Sequence, residues 1–176
     1  MPAEIKPDLS CVPFPRKTLY SILTTPFLVI LLLVLIYLWT FSCWLSLLFL
    51  LLFLAVCYFQ TYCCAYQECP YVGQFCPAIV GIMPASFMTK FIYRRKKIVK
   101  SKKRYWINIA LATMAWLGLV FFPLFWIAKL HDALAWGYIA LHLIYYLIFG
   151  LTICPVCAIR NTCPGGKLQK ALLKRL

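Results

Sequence analysis

The chain has 176 residues, of which 64% are hydrophobic, 17% aromatic and only 12% charged, and it carries a formal net charge of +14. These values exclude an ordinary soluble globular domain and leave no length for a water-soluble core beside the apolar segments. One membrane domain is expected, with any chemistry inside the bilayer or at its surface.

The opening MPAEIKPDLSCVPFPRKTLY puts basic residues ahead of an apolar run, as a secretory signal does. An h-region is short, however, and residues 21 to 60 are apolar almost throughout, without a clear small-residue cleavage site. The segment is therefore expected to be retained. A span needs about 20 apolar residues, so the 40 residues from Ser21 to Gln60 suit two helices. Their turn is expected in WTFSCW, where Trp39 and Trp44 mark an interfacial aromatic belt. This places the first two spans at 21–39 and 43–62.

Two more spans follow at 105–128 and 133–153, separated by the short KLHD. Pro123 is expected to kink the third, and Gly118, Gly137 and Gly150 to permit close helix contact. The leucine runs of the first two helices are expected to face lipid or partner subunits. The predicted fold is all-α: a polytopic membrane protein of four transmembrane helices in two antiparallel hairpins, with a cytoplasmic cysteine-rich cap and an interfacial helix. Charge supports this division. With four spans, Lys6, Arg16, Lys17, the cations from Lys90 to Arg104, Arg160 and the tail cations share one face, and Lys129 alone lies opposite. Short loops rich in Lys and Arg favour the cytoplasm, so both termini are expected there, with the plasma membrane of a prokaryote as the location. Trp126 and Trp136 are expected at the outer edge and Trp106 at the inner one.

The inner connection divides into a cysteine-rich loop, 63–80, and an interfacial and basic segment, 81–104, which Pro84 keeps from spanning. Eight of the eleven residues from Arg94 to Arg104 are Lys or Arg. Beside a span this pattern points to anionic lipid rather than to nucleic acid. A second cysteine-rich segment, 154–166, precedes a basic tail, 167–176.

Of the ten cysteines, Cys43 falls at the outer tip and Cys57 within the second helix, where a thiol acts as a small hydrophobe. The others, Cys11, Cys63, Cys64, Cys69, Cys76, Cys154, Cys157 and Cys163, fall on the inner side, where antiparallel helices bring distant loops together. Cytosolic thiols are kept reduced, so a dense set there points to metal binding more than to disulfides. Cys69, Cys76, Cys154 and Cys163 each precede a proline, as in iron-sulfur ligand runs. CPVCAIRNTCPGG supplies C-x2-C-x5-C, and Gly165 and Gly166 let the backbone fold over inorganic sulfide. The expected ligands of a [4Fe-4S] centre are Cys154, Cys157 and Cys163 with Cys76 or Cys69, and Cys63 and Cys64 are further candidates. Two alternatives stay open. Four thiolates suit structural zinc equally well, and Cys154 with Cys157 could act as a thiol-disulfide exchange pair with Cys69 or Cys76.

Through QFCPA, ICPVC, NTCPGG and the four-helix topology, the chain resembles membrane subunits of the NapH/NosR type, which oxidise quinol and transfer electrons. Those proteins append a ferredoxin domain with two full cysteine runs, which this chain lacks. The resemblance therefore implies an accessory electron-transfer subunit of a larger membrane complex, not a stand-alone enzyme. The Cys154/Cys157 pair is also similar to that of the four-helix vitamin K epoxide reductase and DsbB group, in which the pair faces an oxidising compartment beside a quinone. The basic face is expected to receive an acidic soluble electron carrier.

Both histidines lie near the fourth span, eleven residues and about 16 Å apart along a helix, so one haem cannot use both. Haem is not expected from this chain alone. His142 is expected to hydrogen-bond a neighbouring helix, and His131 with Asp132 at the outer surface could take or release a proton at a quinone site.

Overall fold

A computed structural model describes residues 16–67, 101–157 and 160–173. Among them every regular element is helical: α1 (Lys17–Phe41), α2 (Cys43–Tyr66), α3 (Lys102–Phe121), α4 (Leu124–Leu130), α5 (Asp132–Thr152), a 3-10 turn (Cys154–Val156) and α6 (Pro164–Leu173). Four stretches are long and apolar enough to cross a membrane: Thr18–Phe41, Cys43–Cys63, Lys102–Leu130 and Asp132–Val156. The chain is thus an all-α integral membrane protein with the four expected spans. Most of the expected cysteine-rich loop 63–80 and of the expected interfacial and basic segment 81–104, residues 68–100 with Cys69 and Cys76, lies outside the described residues.

Two single residues punctuate the bundle in the same way. Ser42 separates α1 from α2 with φ −167 and ψ 136, and His131 separates α4 from α5 with φ −168 and ψ 132. An extended residue stops one helix, and its side chain then caps the next. The Ser42 hydroxyl accepts from the Trp44 N–H at 3.3 Å, and His131 Nδ1 accepts from the Ala133 N–H at 3.1 Å. Pro123 breaks the third span as expected. α3 stops at Phe121 and α4 resumes at Leu124, with Trp126 and Ile127 donating to the Pro123 carbonyl at 3.1 and 3.0 Å.

On α1, Phe27, Leu31, Val34 and Leu38 are buried at spacings of three and four, so they form one stripe facing the bundle. They pack with Phe49 of α2, Leu119 of α3, Ile127 of α4, and Tyr138 and Tyr145 of α5. Phe27 stacks on Tyr145 with ring centroids 4.2 Å apart, and Thr24 Oγ1 shares a 3.1 Å hydrogen bond with the Tyr145 hydroxyl. The other faces of the spans carry exposed Leu32, Leu33, Leu47, Leu48, Leu51, Leu143 and Leu147, as a lipid-facing surface requires.

The most extensive helix contact joins α2 to α3. Gly118 makes it close: a Cβ there would stand 3.2 Å from Leu52 Cδ2. Gly137 and Gly150 play no such part, because a Cβ on either would meet nothing within 4 Å. Trp39, Trp44, Trp106 and Trp136 are exposed near helix ends, as belt residues are. Trp126, expected with them, instead packs inward against the core, and its carbonyl accepts from the Tyr37 hydroxyl at 3.1 Å.

Candidate functional site: a thiol cluster at one end of the bundle

The end of the bundle opposite Ser42 and His131 gathers four chain segments. Arg16, just before α1, donates to the carbonyl of Thr152, in the last turn of α5. Gln67, just after α2, donates through Nε2 to the Tyr105 hydroxyl of α3 and, at 3.3 Å, to the Thr162 carbonyl. The Thr162 hydroxyl donates in return to Gln67 Oε1 at 3.4 Å. One amide thus ties α2, α3 and the C-terminal segment together.

Around this clasp stand the cysteines. Cys63 lies in the last turn of α2, Cys154 opens the 3-10 turn after α5, and Cys163 immediately precedes α6. All three are half-buried thiols outside any disulfide, and the Gln67–Thr162 bonds hold the residue before Cys163 against the end of α2. The end of α2 and the C-terminal segment, which carry these thiols, thus lie at one end of the bundle. Cys63, a further candidate, is described at this end.

The backbone between Cys154 and Cys163 is wound tightly. The Cys157 N–H donates to the Cys154 carbonyl at 3.2 Å, Arg160 N–H to the Cys157 carbonyl at 3.1 Å, and Lys167 N–H to the Cys163 carbonyl at 3.0 Å. Cys157, also half-buried, thus sits one turn from Cys154. Gly166 closes the loop: a Cβ there would fall 2.1 Å from the Arg160 carbonyl oxygen, so only glycine permits the approach. The glycine serves this chain crossing, whereas the sequence suggested backbone folding over sulfide.

Among the described residues, no three His, Cys, Asp or Glu side chains are arranged as they stand to hold a metal ion. The chemistry of the donors is nonetheless that of a thiophilic metal, because soft thiolates select zinc and iron-sulfur clusters. Of the candidate ligands, Cys69 and Cys76 lie outside the described residues. Cys64 is placed in α2, adjacent to Cys63.

The histidines depart from expectation. His142 is buried, and its Nδ1 donates to the Tyr138 carbonyl of its own helix at 2.9 Å rather than to a neighbouring helix. Its Nε2 has no protein partner among the described residues, and the ring lies between Phe27 and Tyr138, with centroids at 5.0 and 4.4 Å. A backbone carbonyl one turn back competes with any neighbouring helix because it is already in place. His131 acts as a helix cap.

Sequence reasoning missed Gln67, Thr162 and α6. No short motif marks a glutamine clasp, but the spacing of Leu168, Leu172 and Leu173 among polar residues after Pro164 is a helical signal inside what was expected to be only a basic tail. No protein-family model, curated protein or solved structure matches the chain.

Proposed function

We propose that the thiol end of the bundle holds a cysteine-ligated metal centre, expected to be [4Fe-4S], and that the chain is an electron-transfer or accessory subunit of a larger membrane complex. The supporting observation is that Cys63, at the end of α2, and Cys154 and Cys163, in the C-terminal segment, lie at the end of the bundle that the Gln67–Thr162 hydrogen bonds hold together. Cys157, Cys69 and Cys76 complete the candidate ligand set. Such a cluster supplies one-electron chemistry when bound. The protein's own part is to gather thiolates at the membrane surface and to shield them with half-buried backbone. The Gln67 clasp already joins the inner segments by hydrogen bonds, so a purely structural zinc staple has less to do here.

Hairpins whose ends return to one side fit the bonds from Arg16 to Thr152 and from Gln67 to Tyr105 and Thr162. The thiol end carries the exposed cations Arg16, Lys102, Lys103, Arg104, Arg160 and Lys167, which favours the cytoplasmic, reducing side, both termini included. An acidic soluble carrier is the electrostatic complement of that face.

The test is anaerobic purification followed by iron, acid-labile sulfide and zinc analysis, with EPR of the dithionite-reduced protein. Iron with matching sulfide, lost in Cys154→Ser and Cys163→Ser, supports the proposal. Stoichiometric zinc without iron contradicts the electron-transfer reading, and a metal-free protein contradicts both metal readings.

A further inference from the structure

Two arginines at the thiol end are held in a way that neither the metal centre nor the fold requires. Arg16 donates to the Thr152 carbonyl and Arg160 to the Pro155 carbonyl, at 2.7 Å in the latter case. Thr152 and Pro155 are three residues apart, so the two carbonyls that anchor the guanidinium groups lie roughly one turn apart along the chain. Both arginines are exposed, and each guanidinium keeps further N–H donors beyond the one used on a carbonyl. Lys170 adds a third cation beside them through its hydrogen bond to Asn161.

Among the described residues the only acidic side chain is Asp132, which begins α5 at the opposite end of the bundle. Guanidinium groups with no carboxylate partner among the described residues present the fork geometry that binds phosphate oxygens. The site also lies where a span ends, at the depth of lipid headgroups. Below it, exposed Leu19 and Ile22 on α1 and exposed Leu147 and Leu151 on α5 offer apolar surface of the kind an acyl chain covers. A soluble phosphate has no use for that surface.

We infer that Arg16 and Arg160 form a clamp for the phosphate of an anionic phospholipid, whose acyl chains lie on the exposed faces of α1 and α5. The clamp uses none of the thiols of the metal centre. It requires the two guanidinium groups to act together, which distinguishes it from the diffuse attraction of a basic face for an anionic leaflet.

The experiment uses the full chain in detergent, with native mass spectrometry to count retained lipid and thermal unfolding to read stabilisation. The probes are phosphatidylglycerol, phosphatidylcholine, glycerol 3-phosphate and inorganic phosphate. The wild-type chain is expected to retain phosphatidylglycerol in preference to phosphatidylcholine and to unfold at a higher temperature with it. R16Q/R160Q should lower that preference roughly tenfold, on the scale of a lost charge-assisted hydrogen bond. K102Q/K103Q, which removes the same charge from the start of α3, should leave it nearly unchanged. If R16Q/R160Q does not fold, R16K/R160K decides, because lysine keeps the charge but loses the fork, and the preference should still fall. Equal losses in the two charge-removal variants, or retention unaffected by both arginine variants, overturn the clamp. Equal stabilisation by glycerol 3-phosphate or inorganic phosphate overturns the lipid as its occupant.

Discussion

Gln67 and Thr162 stand 95 residues apart in sequence and hydrogen-bond each other twice, side chain to carbonyl and hydroxyl to amide oxygen. The pairing fixes the end of α2 against the segment that carries Cys163, and the Tyr105 hydroxyl brings α3 into the same clasp. Gln67→Ala removes all of these bonds. It should lower stability by about 1–3 kcal/mol, the net worth of three hydrogen bonds of which two are long. It should also slow oxidative cross-linking between Cys63 and Cys163 in a variant in which the other cysteines are serine. Unfolding in mixed micelles reads the first effect and gel mobility after mild oxidation the second; cross-linking as fast as in the parent would show that the clasp does not position the thiols.

The two tight glycines should respond differently to the same added methyl group. At Gly166 the new carbon meets a backbone carbonyl at 2.1 Å, which cannot yield without moving the chain. Gly166→Ala is therefore expected to cost about 1–3 kcal/mol, the range for overpacking, and to displace α6. At Gly118 the obstacle is the flexible end of Leu52, so Gly118→Ala should lie within about 0.5 kcal/mol of the parent. Thermal unfolding of both variants checks the order, and a reversed order would contradict the described crossing at Arg160.

Inside the bundle, the Thr24–Tyr145 hydrogen bond links α1 to α5 beside the Phe27–Tyr145 stack. A double-mutant cycle of Thr24→Val and Tyr145→Phe should give a coupling of about 0.6 kcal/mol, the average for such bonds in membrane helices. Coupling indistinguishable from zero would mean that the two helices are not held by this contact.

The helix junctions make a matched pair of tests. Ser42→Ala and His131→Ala each remove a side-chain cap from the start of a span, at an expected cost of about 0.5–2 kcal/mol. His131→Asn keeps an acceptor and should recover most of the loss. If the histidine's role were proton exchange, asparagine would preserve stability but abolish the pH dependence of any electron-transfer activity; a cap alone predicts no such change.

The spans were legible in the sequence because hydrocarbon thickness imposes a length that composition reveals directly. The interruption at Pro123 was also legible, since a proline in a helix interior removes a hydrogen bond and kinks or breaks the helix, although α1 continues through Pro26. The single-residue junctions were located to within a residue or two, but their mechanism was not: the capping roles of Ser42 and His131 depend on backbone dihedrals that no periodicity encodes. Gly137 and Gly150 misled because a glycine allows a close helix contact without requiring one, and only the position of Leu52 distinguishes Gly118 from them. That the end of α2 and the C-terminal segment lie together rests on the Gln67 clasp, a contact between residues with no local pattern in common.

The most direct measurement is the iron and acid-labile sulfide content of the anaerobically purified chain, compared with that of a Cys63→Ser/Cys163→Ser variant. A cysteine-ligated cluster predicts about four iron and four sulfide per chain in the parent and a large loss of both in the variant. Iron and sulfide absent from the parent, or fully retained by the variant, would contradict a centre built where these two segments meet.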